Sequence, residues 1–193
     1  MKESKKESLA KFHRDNIINT SQKLFLSKGI ENTSMDDIAK EAGYSKATLY
    51  VYFKNKDEII SCMTLVAMNM LLDIVKTCTT THKDFKSQYF ALCYAITDFQ
   101  KEHLFYYESI FKEINVDIEL SQTPKVYHEI YEVGEEINKE ILSMFKEGMA
   151  EGTLRSNIKL PQAAFTFWGS IFGVIHMAKE KNKHFSKCFN LSE

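Results

Sequence analysis

Helix breakers are scarce in this chain. Its 193 residues include two prolines and seven glycines, so long stretches run with nothing to stop a helix. Cysteine is sparse too, and Cys62, Cys78, Cys93 and Cys188 form no CxxC pair. On one helix Cys62 and Cys78 would stand about 24 Å apart, too far for a disulfide. Reduced, buried thiols in a cytoplasmic protein are the ordinary reading, and a thiol sensor is the alternative. The most apolar stretch, Ala163 to Ala178, holds Thr166, Ser170 and His176. As a helix it covers about 24 Å, short of the roughly 30 Å bilayer core, so a buried helix is expected rather than a membrane span. The N-terminal MKESKKESLAKFHRD has charge but no apolar core, which argues against a secretory signal. His82, His103 and His128 share no ligand-spaced motif, so no metal is expected. There is no nucleophile paired with a base in a recognisable frame, no phosphate loop and no HExxH. The sequence therefore implies neither an enzyme nor a cofactor, and it offers no convincing strand pattern.

What is present is a soluble composition with an uneven charge. Hydrophobic residues make up 44% and charged residues 26%, enough for a core without staples. Residues 1–56 hold 11 Lys/Arg against 7 Asp/Glu, whereas the remainder holds 14 against 19. A basic first part on an acidic body points to a polyanion partner for that part alone; chance clustering of surface charge is the bland alternative.

The periodicity reads as helices throughout. Leu9, Phe12, Ile17, Leu24 and Phe25 share a loose face of a first helix, Ser8 to Lys28, which Gly29 ends. Ser34-x-x-Asp37 opens a second helix in the manner of a capping box, with Ile38, Ala39 and Ala42 inside and Gly43 at its end. Ser45 caps a third, Lys46 to Tyr52, and Asn55-x-x-Glu58 caps a fourth running to about Thr80. A fifth is expected over Phe85 to Lys101 and a sixth over His103 to Ile114, followed by a loop from Asn115 to Thr123. Pro124 suits the first position of a seventh, and Pro161 opens an eighth to about Lys181. The expected fold is all-α. A three-helix helix-turn-helix domain, residues 1–54, joins through the long fourth helix to a larger helical bundle, residues 55–193.

The stretch from Thr33 to Glu58 carries the chemistry. Ala39 is small where two helices must approach, and Gly43 permits the positive φ of a tight turn. Leu49 and Phe53 can face inward, leaving hydroxyls, lysines and tyrosines to project. A helix this short is not stable alone, but held by neighbours it can offer its N-terminal end to a DNA groove. Hydroxyls and lysines position a protein on phosphate while a few side chains read base edges.

These residues resemble a known family. Gly29, Thr33, Asp37-Ile38-Ala39, Ala42-Gly43-Tyr44-Ser45-Lys46-Ala47-Thr48-Leu49-Tyr50-x-Tyr52-Phe53 and Lys56 are similar to the DNA-binding domain of TetR-family transcriptional regulators. The likeness covers roughly residues 10–60. It implies that Ser45, Lys46, Ala47, Thr48, Tyr50 and Tyr52 belong to the recognition helix, and that Thr33 and Lys56 grip phosphates. Tyr44 stands where valine is more usual, with a hydroxyl able to reach DNA or solvent. Thr20-Ser21 replaces the usual alanine, which implies altered packing of the first helix. Lys5, Lys6, Lys11 and Arg14 of the N-terminal arm can add salt-dependent affinity.

In this family the larger domain binds an effector and dimerises. Met63, Met70, Phe90, Tyr94, Tyr107, Phe111, Tyr127, Tyr131, Trp168, Phe172 and His176 are the candidate pocket for a small, largely apolar effector. The same stripe of aromatics and methionines also suits plain core. Phe165, Gly169, Gly173 and Met177 are candidates for a homodimer interface, because Gly169-x-x-x-Gly173 lets a second helix approach. Only Asn182 to Glu193 remains where the family usually places a ninth helix. The resemblance therefore implies a cytoplasmic, ligand-responsive repressor that binds a near-palindromic double-stranded operator as a dimer and has no membrane partner. The alternative is a DNA-binding activator or structural factor without an effector.

Overall fold

The structure is a computed structural model describing the backbone of residues 5–110 and 124–189, with side chains described through residue 178. Within them the chain forms eight helices and no strand, the all-α architecture expected from the sequence. They are α1 (Lys5–Lys28), α2 (Met35–Glu41), α3 (Lys46–Tyr52), α4 (Lys56–Thr81), α5 (Phe85–Glu102), α6 (Leu104–Ser109), α7 (Lys125–Ala150) and α8 (Leu160–Phe189).

Two compact units emerge, one from Met1–Asn69 with His103–Glu132 and the other from Met70–Glu102 with Val133–Glu193. The unit that holds the helix-turn-helix thus extends past residue 54, taking in the first half of α4 and all of α6. Its core is Ile17, Leu24, Phe25, Ile38, Ala39, Leu49, Phe53, Ile59, Ile60 and Met63. Ser21 is buried among them, and its hydroxyl donates to the Ile17 carbonyl at 2.8 Å. That bond makes a hydroxyl tolerable where alanine is usual.

Local chemistry fixes the ends of α2 and α3. The Ser34 hydroxyl accepts from Asp37 N at 3.1 Å, and the Asp37 carboxylate accepts from Ser34 N at 3.0 Å. The bond from Ser34 N, with a second from the Ser34 hydroxyl at 2.7 Å, holds the Asp37 carboxyl below its ordinary range. Gly43 ends α2 at φ +76° with open space where a Cβ would stand, so its requirement is conformational rather than steric. Ser45 caps α3 by accepting from Thr48 N at 3.1 Å.

Three expectations need correction. Leu9 and Phe12 are not inward-facing; they are 57% and 65% exposed, and the buried residues of α1 begin only at Ile17. The sixth helix is shorter than expected, ending at Ser109, and the loop expected over 115–123 lies outside the described residues. The eighth helix runs on to Phe189, past Lys181, since no proline or glycine follows Gly173 to stop it.

By length and composition α4 could cross a membrane. Its Ile59, Met63, Ala67, Leu71 and Val75 recur every four residues and are all buried within the protein, as befits the core helix of a folded bundle.

In the second unit Phe85 packs on Phe145 with ring centroids 5.5 Å apart, and Tyr89 meets Phe167 at 5.5 Å. Leu92, Ile96, Ile137, Ile141 and Met144 complete an apolar centre. Gln88 donates from Nε2 to the Thr79 and His82 carbonyls at 3.0 and 3.2 Å, closing the turn between α4 and α5.

Burial also sets an alkaline limit for the first unit. It pushes the Tyr107 phenol up to about 12, and raises Tyr106 in the same direction. In the unfolded chain the phenol ionises near 10. The stability that Tyr107 contributes is therefore full below pH ~10 and lost as pH rises to about 12. Tyr107→Phe should flatten the alkaline limb of a melting-temperature profile; an unchanged limb would place the lability elsewhere.

Candidate DNA interface

The candidate interface is centred on α3. Leu49 is wholly buried and anchors the helix, while Ser45, Lys46, Ala47 and Tyr50 are exposed. Val51, which sequence reasoning passed over, is 79% exposed beside them. Its apolar character gave no signal of surface placement. Thr48 is half-buried, with its hydroxyl 2.8 Å from that of Ser45. Lys46 reaches back to Asp36 on α2 at 2.8 Å, and this contact raises its pKa. Both groups are exposed, so the pair is a weak one that an approaching phosphate can exchange.

Thr33 and Lys56, the expected phosphate grips, are occupied within the protein. Thr33 is buried and its hydroxyl donates to the Gly29 carbonyl at 2.8 Å. The Lys56 ammonium donates to the carbonyls of Ile30 at 2.6 Å and Thr33 at 3.1 Å. As placed, the two residues shape the link between α1 and α2.

Tyr44 and Tyr52 are half-buried against α1. The Tyr44 hydroxyl lies 2.7 Å from His13 Nδ1 and accepts from Asn16 Nδ2 at 3.3 Å. Tyr52 offers its carbonyl to Arg14 at 2.5 Å. His13 and Asn16 were not among the sequence candidates, and no local pattern marks them: their partners lie 31 and 28 positions away.

The candidate effector residues are scattered in depth. Met63 is wholly buried in the core beneath the helix-turn-helix. Tyr107 is also buried in that unit, Tyr127 is half-buried and Tyr131 is exposed. In the second unit Met70, Trp168 and Phe172 are half-buried, with the Trp168 and Phe172 rings stacked at 5.3 Å. Phe90 and His176 there are exposed, and Tyr94 is 71% exposed. Phe111 lies outside the described residues.

Two cavities open within the first unit. One, of about 360 Å³, is lined by Phe25, Leu26, Gly29, Ile30, Ile60, Phe105 and neighbours. The other, of about 300 Å³, is lined by Asn55, Glu58, Pro124, Val126, Tyr127 and neighbours. Of the expected pocket residues only Tyr127 lines either of these two. No group of three or more His, Cys, Asp or Glu among the described residues could hold a metal.

Phe165, Gly169, Gly173 and Met177 follow one another at intervals of four on α8, and all four are exposed. Phe165 is the most open at 82%.

Residues 17–61 match the family described as "Bacterial regulatory proteins, tetR family". The chain is 29% identical over 145 residues to the biofilm operon icaADBC HTH-type negative transcriptional regulator IcaR of Staphylococcus aureus, a span covering 72% of this chain and 73% of that one. A TetR/AcrR-family regulator from Thermobifida fusca superposes with a TM-score of 0.69 at 23% identity, covering 84% of each chain. The FadR regulator of Bacillus subtilis, solved in complex with stearoyl-CoA, gives 0.67 at 17% identity over 87% of this chain and 88% of that one.

Proposed function

This chain belongs to the TetR family of transcriptional regulators, and from that premise we propose that it is a dimeric repressor released by an effector. Residues 1–54 bind a near-palindromic operator, and residues 55–193 bind the effector and dimerise. The protein works in the cytoplasm, on DNA, without a membrane partner.

The observation that carries this reading is the short, capped α3, anchored by buried Leu49 with Ser45, Lys46, Ala47 and Tyr50 exposed. Such a face suits the major groove, where side chains at the N-terminal end of a recognition helix reach base edges. Thr48, Tyr44 and Tyr52 flank it, and Thr33 and Lys56 set the link behind it. Repression accords with the role of the Staphylococcus relative as a negative regulator. A largely apolar effector accords with the half-buried Met70, Trp168 and Phe172, and with stearoyl-CoA in the FadR structure. Effector binding would shift the population toward a state with misplaced recognition helices. The fourth helix, which contributes residues to both units, is the proposed lever.

Selection from a random pool of DNA duplexes tests the first half. The enriched site should be a near-palindrome with half-sites about 10 base pairs apart or a multiple of that. Affinity should fall steeply with salt, by about 0.9 log unit per tenfold salt for each phosphate neutralised. A pool that shows no enrichment overturns the reading. Titration of the selected duplex with long-chain acyl thioesters tests the second half, release being the expected result. Insensitivity to these and other small molecules would favour an effector-independent factor.

A further inference from the structure

We propose that His13, Arg14 and Asn16 of α1 are positioning residues that hold α3 at both ends and so set the angle at which it meets DNA. The proposal rests on the DNA-reading role of α3 and goes beyond it.

Seven residues make less than two turns, and such a helix has no stability of its own. Leu49 is the only fully buried residue within α3. Leu49 and the buried C-cap Phe53 fix how near the helix lies to its neighbours but oppose its rotation only weakly, because apolar contact is not directional. Hydrogen bonds at the two ends supply direction.

At the N-terminal end the holding point is Tyr44, immediately before the cap Ser45. Its hydroxyl lies 2.7 Å from His13 Nδ1, and the two rings meet edge to face at 5.5 Å. Asn16 Nδ2 donates both to the Tyr44 hydroxyl at 3.3 Å and to the Ala42 carbonyl at 3.2 Å. At the C-terminal end Arg14 Nη1 donates to the Tyr52 carbonyl at 2.5 Å, one of the carbonyls that a helix end leaves without a partner. The guanidinium also sits 4.2 Å above the centre of the Phe53 ring. Its other nitrogen reaches α4, 3.3 Å from Cys62 Sγ and 3.9 Å from Glu58 Oε1. Three side chains within four positions of α1 thus grip both ends of the reading helix. Arg14 additionally ties that grip to α4.

The grip should govern discrimination more than adhesion. Tilting α3 misaligns its base contacts, whereas phosphate contacts elsewhere on the surface persist. The test uses the full-length protein, a duplex selected by the wild type and a scrambled duplex, each titrated over a range of salt concentrations. Asn16→Ala removes two of the three bonds at the N-terminal end and leaves the Tyr44 hydroxyl on His13 alone. Arg14→Met releases the C-terminal end. In each variant the ratio of selected to scrambled affinity should fall on the order of tenfold, the worth of about one lost base contact. Scrambled-duplex affinity and the salt slope should stay at wild-type values. Arg14→Lys should recover part of the ratio.

Several results would overturn the proposal. One is a wild-type ratio in both variants with only a lower melting temperature, the mark of a purely structural role. Another is an Arg14→Met variant that weakens both duplexes equally and loses about one phosphate from the salt slope, which would make Arg14 a phosphate contact. If Arg14→Met fails to melt cooperatively, Asn16→Ala decides alone. A wild type that selects no sequence sinks the DNA reading itself, and the grip with it. A wild type that selects a sequence, with variants that discriminate as well as it does, sinks only the grip.

Discussion

Phe165→Asp should convert the protein to a monomer and lower operator affinity on the order of 10²–10⁴-fold, the gain that linking two half-site contacts provides. Two glycines of α8 face no neighbour among the described residues. Gly169 and Gly173 lie inside α8, where each costs about 1 kcal/mol relative to alanine. Among the described residues beyond their own stretch of helix, nothing lies within 4 Å of where their Cβ atoms would stand, and neither has a positive φ. No packing or turn among those residues requires them. Phe165 at 82% exposed and Met177 at 49% flank the same surface, which is costly to leave in water. Room for a neighbouring backbone between apolar side chains is what a second copy of the helix would use. A twofold interface of this kind would bring two recognition helices to one DNA face. Light scattering at micromolar concentration and operator titration provide the measurements. A wild type that is already monomeric, or a Phe165→Asp variant that remains dimeric, would sink the idea. Gly169→Ala offers a further contrast: it should strengthen the helix slightly, so any loss of association would come from the interface.

Gly148→Val should destabilise the second unit by roughly 3 kcal/mol, at the upper end of the cost of overpacking. Here a glycine matters for the opposite reason. A Cβ on Gly148 would stand 2.6 Å from Phe85 Cγ, 2.7 Å from Phe85 Cδ2 and 3.0 Å from Leu154 Cδ1. Phe85 cannot easily retreat, for its ring is buried and lies 5.5 Å from Phe145 and 5.9 Å from Tyr89. The backbone is committed as well, because Leu154 N donates to the Gly148 carbonyl at 2.9 Å. Against this stands a gain of about 1 kcal/mol for removing a mid-helix glycine, smaller still for a β-branched residue. The clash wins. Urea unfolding would show it as a lower midpoint with an unchanged slope, and a midpoint at the wild-type value would mean that the Phe85 ring has room to move.

The two glycine sites show where sequence is legible and where it is not. In the sequence Gly148 and Gly169 look alike, each a glycine in an apolar helical pattern. Only the third dimension separates one that must receive a phenylalanine ring from one that faces open space. The helix-turn-helix was readable because its determinants are local. Ser34 and Asp37 are three positions apart, as are Ser45 and Thr48, and Gly43 marks its own turn. The bonds from His13, Asn16 and Arg14 were not readable, since their partners stand 26 to 48 positions away. Nor could a pattern foretell that the Lys56 ammonium would turn inward to two carbonyls; a lysine at a helix start reads equally well as a phosphate contact. Among the effector candidates, periodicity placed Phe90 and Tyr94 on a face of α5 without fixing how deep that face lies, and both are exposed.

The hold of α1 on both ends of α3 bears on how such a protein could be given a new address in a genome. On the proposed reading, exchanging Lys46, Ala47 or Tyr50 would alter the exposed lettering of the reading head and leave its mounting untouched. Transplanting the whole stretch from Tyr44 to Phe53 into a relative would carry the lettering without His13, Arg14 and Asn16, and the graft would arrive loose. A transferable cassette should therefore begin no later than His13 and end no earlier than Cys62, which makes fifty residues, rather than ten, the unit of exchange.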